Sequence, residues 1–144
     1  MIPKTSLELL EFHKLLGHVA EFANSEASKI SVHAIHPIES RAQVQKRLDQ
    51  VAEIRRISHE GTPLDLYPFP DISPLLLKVR PEGAVLDAVE IADFIPVLSI
   101  AASLSLQPGE RQDLPFLKEL TGTLTGFPDI LKVLKKSIDS EGNI

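Results

Sequence analysis

The chain has 144 residues, with 15 Lys or Arg against 20 Asp or Glu, a formal net charge of -5 and no Cys. Without Cys there is no disulfide framework and no thiolate metal site. Without a basic excess, and with aromatics at 5%, a self-sufficient basic nucleic-acid module and a stacking platform for single strands are excluded.

This length suits one domain, which would bury about 68–70% of its unfolded surface. A chain of this length can therefore form a real core without metal or disulfide staples. Met1-Ile2-Pro3 runs straight into a charged amphipathic stretch. No basic region followed by an apolar one opens the chain, so a secretory signal is not expected and a cytoplasmic location is.

Leu7 to Ala23 is the clearest amphipathic helix. Phe12, Leu15, Leu16, Val19, Phe22 and Ala23 recur at steps of three and four on one face. Thr5 and Glu8 have the spacing of a capping box at its start. Asn24 and Ser25 break the chain, and a shorter helix follows from Ser25 to about Ala34, stopped by His36-Pro37. Ser40 with Gln43 is a second capping box. It opens a long helix to about Glu60, with Val44, Leu48, Val51 and Ile54 as the expected buried stripe and Gly61 past its end.

Residues 62–74, with four prolines, read as an ordered crossing loop whose Leu64, Leu66, Tyr67 and Phe69 pack onto helices. Pro74 to Val79 makes a short helical turn, ended by Arg80-Pro81-Glu82-Gly83. Asp87 to about Leu106 is apolar enough to resemble a membrane span. Asp87, Glu90, Asp93, Ser99 and Ser103 nevertheless share one stripe, and acids facing lipid are expensive. A central buried helix is expected instead, kinked by Pro96 near Phe94–Ile95. Asp113 and Pro115 start a helix through about Leu124, with Leu117, Leu120 and Leu124 inward. Pro128 opens the last helix, with Ile130, Leu131, Leu134 and Ile138 apolar and Lys132, Lys135 and Lys136 late, where they suit the macrodipole. No stretch alternates as a strand does. The expected fold is all-α, an irregular bundle of about six helices with a proline-rich crossing loop.

Chemistry-bearing residues are sparse. His33 and His36 are spaced to share a metal, but two ligands do not make a site, and exposed helix-end histidines are the plainer reading. Asp87, Glu90 and Asp93 form an acidic row able in principle to hold Mg²⁺ or move protons. A solvated face near a helix start is favoured. Arg41, Lys46, Arg47, Arg55 and Arg56 make the long helix basic. Lys46, Arg47, Arg55, Arg56, Lys132, Lys135 and Lys136 are the candidate nucleic-acid contacts, against the plainer reading of a salt-laced exposed face. No phosphate loop, GxGxxG, GxSxG or HExxH occurs. No catalytic, cofactor or metal residue is assigned.

Several short stretches, in order, resemble one family. Leu10-Glu11-Phe12-His13-Lys14-Leu15-Leu16 is similar to the LEFxKIL opening of the MutS type II family, the bacterial MutS paralogues without the mismatch-reading domain. Ala23-Asn24-Ser25-Glu26 resembles its AxSE step, with Lys29 and Pro37 in their usual places. Asp71-Ile72-Ser73-Pro74-Leu75 resembles DIxPxL, Gly83-Ala84-Val85-Leu86 with Glu90 resembles GxxL…E, and Ile138 to Ile144 resembles IDxxGxI. Ser28 departs from a usual Gly, and Gln50-Val51-Ala52-Glu53 fits the family's TxEA only loosely.

The resemblance implies an N-terminal structural core over residues 1–140, with 141–144 starting a connection to further domains. In the whole protein these would be a lever and clamp, an ABC-type ATPase using ATP and Mg, and usually an Smr endonuclease. Such proteins act as homodimers on branched DNA or stalled ribosomes, in DNA repair, recombination control or ribosome rescue, away from membranes. Residues 1–144 would themselves be non-catalytic. The alternative is a free-standing helical protein-interaction module.

Overall fold

A computed structural model describes residues 4–138. It is all-α, and no strand occurs among the described residues. The helices are α1 (Lys4–Leu9), α2 (Phe12–Ala20), α3 (Glu26–His33), α4 (Arg41–His59), α5 (Ser73–Lys78), α6 (Ala88–Ala92), α7 (Phe94–Leu106), α8 (Pro115–Thr121) and α9 (Pro128–Ser137). The principal packed pairs are α2 with α3, α4 with α8, and α7 with α9.

Two expected helices are each divided in two. The opening helix breaks at Glu11, whose φ of 51° lies in the left-handed region. Hydrophobic spacing shows which residues share a face, but it does not detect one residue leaving the right-handed region. Thr5 sits inside α1 rather than ahead of it, so it is not the expected cap. The apolar helix breaks at Asp93, three residues before Pro96, because Pro96 has no amide hydrogen for the preceding turn. Other start signals hold: Ser25 accepts from the Ser28 amide at 3.1 Å and Ser40 from the Gln43 amide at 3.4 Å.

The faces differ more from expectation. On α4, Leu48 is 58% exposed and Val51 53%, whereas Glu53 and Ile57 are buried. Helical geometry puts Leu48 and Ile57 on opposite sides, so Val44, Leu48 and Val51 of the expected stripe face away from α8, while Ile54 packs against the buried centre. On α2, Leu16 and Ala20 are buried while Leu15, Val19 and Phe22 are exposed. On α8, Leu117 is buried, but Leu120 and Leu124 are exposed and the helix ends at Thr121. α4 and α8 pack chiefly on each other and α2 on α1 and α3, so only the sides turned to those neighbours are covered.

The buried centre is accordingly small. Ile57, Leu114 and Leu117 form it, with Ile54 and Leu64 against them. The accessible surface is 10536 Å². A compact monomer of 15.9 kDa would expose about 7,400 Å². Much apolar surface that a self-contained domain would cover therefore stays open.

The proline-rich loop does cross the helices and is tied at both ends. The Phe69 amide donates to the Asn24 carbonyl at 3.2 Å. The Gln107 amide donates to the Pro63 carbonyl at 2.5 Å and accepts from the Asp65 amide at 3.1 Å. The stretch Ala88–Leu106 is long and apolar enough to cross a membrane by length and composition. It is half-buried rather than central, with Ile100 its one fully buried residue. Its start is held at the polar end by Lys78, which donates to Glu90 at 2.6 Å. Gly126 lets the chain pass close to α7, because a Cβ there would meet Ala102 Cα at 2.4 Å.

Candidate functional site

The most developed polar centre lies where α4 meets the start of α8. Pro115 opens α8, leaving its first amides without helical partners. Glu53, one turn before Ile57 on α4, supplies the acceptors. Its carboxylate takes the Leu117 amide at 2.7 Å and the Phe116 amide at 3.3 Å. A carboxylate also suits the positive end of the helix dipole. This is how a Glu is 7% exposed without a cationic partner at that point.

Beside it lies an ion-pair cluster. Arg111 grips Glu60 at 2.6 and 3.3 Å and Asp113 at 2.6 and 3.1 Å. Arg56 lies 3.3 Å from the Asp113 carboxylate and donates to the Asp113 carbonyl. The Arg111 hydrogen bonds hold the Asp113 carboxyl down at about 2 and lower that of Glu60. The same partners raise the Arg111 guanidinium further above its already high value. Hydrogen bonding to its charged form is the leading cause for each group. A 360 Å³ hollow lined by Asp49, Glu53, Arg56, Asp113 and Phe116 adjoins the cluster; Arg56 and Asp113 pair with each other, Glu53 with the α8 amides and Asp49 with Gln45.

The candidate nucleic-acid residues fall into two sets. On α4, Lys46 pairs with Glu119 at 2.6 Å, Arg56 belongs to the cluster above, and Arg47 reaches Gln50 at 3.4 Å. Helical spacing points Lys46, Arg47, Arg55 and Arg56 in different directions around α4. On α9, Lys132, Lys135 and Lys136 are all exposed, and none is in an ion pair among the described residues. Arg55 is likewise exposed without an ion-pair partner among the described residues.

Among the described residues no three His, Cys, Asp or Glu side chains gather to hold a metal. His33 ends α3 and His36 lies beyond it, both exposed. Two members of the acidic row hold a helix start in place. Asp87 and Glu90 form a reciprocal capping box at α6, at 2.8 and 3.0 Å. Lys78, then the Asp87 amide, lower the Glu90 carboxyl. An apolar groove of 210 Å³ runs between the crossing loop and α7, with Leu66, Phe69, Val97, Leu104 and Leu124 on its walls. Tyr67 does not line it.

Sequence reasoning passed over Glu53, Arg111, Asp113 and Gln107. For Glu53 one signal was present: its place four residues before Ile57, on the side of α4 away from Leu48. Arg111 and Asp113 pair across two residues, but their other partners and those of Gln107 are 42 to 57 residues away and leave no local pattern.

No family model matches the chain, and no solved structure does. Seven curated proteins match, all named Endonuclease MutS2. That of Pelotomaculum thermopropionicum is 23% identical over 98% of this chain, and that of Halothermothrix orenii 29% over 98%. That of Solidesulfovibrio magneticus is 33% identical over 74%. The chain spans 18%, 19% and 14% of those relatives' lengths. Fold and site together define an all-helical segment whose best-built polar centre holds its own helices together. The match of nearly the whole chain to one kind of protein says which: it belongs to the MutS type II family.

Proposed function

We propose that this segment is a structural core piece of a longer MutS type II protein, standing near its N-terminus. The observation that carries this is a match along 98% of the chain to relatives of which it spans under a fifth. The open apolar faces fit the same reading, since helices within a larger body cover one another. The whole protein would use ATP and Mg in domains beyond these residues, act on branched DNA or stalled ribosomes, carry an endonuclease activity, and work as a cytoplasmic homodimer. The segment's own part is mechanical: it transmits motion between clamp and ATPase. Any nucleic-acid contact is auxiliary, through Lys132, Lys135 and Lys136.

Reading the gene in frame past Ile144 tests this. A GxxxxGK[ST] phosphate loop downstream is the expected result, and a stop codon would refute it. Fluorescence anisotropy with branched DNA adds a second check. Residues 1–144 are expected to bind weakly, with affinity falling steeply as salt rises; tight binding that survives raised salt would refute the auxiliary role.

The 210 Å³ apolar groove favours a second reading, a free-standing interaction module. In that case Phe69→Ala would remove a specific partner.

A further inference from the structure

The outer face of α4 is both apolar and charged in a definite order. Arg41, Val44, Leu48, Val51 and Arg55 follow one another at steps of three and four, so they lie on one side of the helix. All five are exposed, and the side opposite them already packs on α8 through Glu53 and Ile57. The two arginines stand about 21 Å apart along the axis, one beyond each end of the aliphatic patch. Neither has an ion-pair partner among the described residues.

We infer that this face seats a second amphipathic helix whose aliphatic stripe is bounded by a carboxylate at each end. That helix belongs to the longer polypeptide proposed above, on which this inference rests. The spacing of Val44, Leu48 and Val51 is that of knobs meeting holes on a facing helix. The arginines then choose the occupant. A second copy docking through the same face in antiparallel order would set Arg41 against Arg55, and in parallel order Arg41 against Arg41; both leave like charges in contact. Nucleic acid would gain only two phosphate contacts and would press its backbone against three aliphatic side chains, which offer phosphate nothing. A helix with carboxylates at both ends satisfies apolar patch and charge together.

The test uses the full polypeptide that the gene encodes, with any cysteine beyond residue 144 replaced by serine. Residues 1–144 contain no Cys, so Leu48→Cys is a single reporter, Val51→Cys a second, and Glu82→Cys an exposed reference. Maleimide labelling is compared in native and urea-unfolded protein. Leu48→Cys and Val51→Cys are expected to label at least about tenfold more slowly in the native state, and the reference within about twofold. Adding Arg41→Glu with Arg55→Glu is expected to bring Leu48→Cys to the reference rate. Native labelling at the reference rate overturns the inference, as does protection that survives the double charge reversal. Protection that grows with protein concentration assigns the face to a second copy, and protection that needs added duplex DNA assigns it to nucleic acid; either result also overturns it. The polypeptide's intact mass reports on the longer-chain reading by itself: a value of 15.9 kDa refutes that reading, whereas a larger mass with an unprotected Leu48→Cys refutes the docking alone.

Discussion

Glu53 shows how one side chain joins two elements. Both its oxygens are used by the Phe116 and Leu117 amides, at a buried junction between α4 and α8. Removing the carboxylate leaves two amides without acceptors, one of them buried. Glu53→Ala is expected to cost about 2–3 kcal/mol, and Glu53→Gln about 1 kcal/mol because the amide oxygen keeps one bond without the charge. Urea unfolding followed by circular dichroism measures both. Equal losses for the two variants would mean that packing, not the carboxylate, holds the junction. Residues of the family-like stretches have similarly local work. Asp71 accepts from the Ser73 amide at 2.9 Å ahead of α5. Gly83, at φ 81°, allows the turn before α6, and Glu90 completes the α6 capping box.

Between elements, α7 is approached closely at Gly126. Backbone of α7 lies where a Cβ would stand, at 2.4 Å from Ala102 Cα, so the loop into α9 has no space for a side chain. Gly126→Ala must push α9 away from α7 and is expected to cost about 1–3 kcal/mol. Ala102→Gly added to it removes only the Ala102 methyl and leaves the backbone clash, so rescue by the double variant would be partial. Thermal unfolding of the three proteins checks this. A neutral Gly126→Ala would show that α9 is not seated on α7 as described. The caps and prolines that set these helices' ends were readable in the chain: Ser25, Ser40 and Gly61 were, and so were Pro115 and Pro128. The directions in which α2, α4 and α8 present their apolar residues were not.

Across the whole molecule, the Glu60–Arg111–Asp113–Arg56 cluster links the end of α4 to the approach to α8, and its carboxyls are held below their ordinary values. The folded state therefore holds these protons less tightly than the unfolded chain, whose Asp and Glu titrate near 3.8 and 4.5. Stability from the cluster is fully present above those values and is lost as pH falls through them toward about 2. Melting temperature measured from pH 6 to pH 2 is expected to fall over that window in wild type. Arg111→Ala should begin lower and show a flatter fall, and raised salt should shrink the difference, because all four side chains are partly solvated. Parallel curves for the two proteins would count against it.

The chain by itself determined that it is helical, where most helices start and stop, and which family it belongs to. These depend on caps, prolines, glycines and ordered short motifs, all of which act over a few residues. Only the tertiary structure decided that the opening helix breaks at Glu11, that α4 turns Glu53 inward and Leu48 outward, and that the central buried cluster among the described residues is Ile57, Leu114 and Leu117 with Ile54 and Leu64 against them. The reason is physical. An amphipathic pattern says that a face will be covered, but not by what. On α4 apolar residues lie on opposite sides, and the side that α8 covers is the one where a carboxylate can reach the open amides of a neighbouring helix.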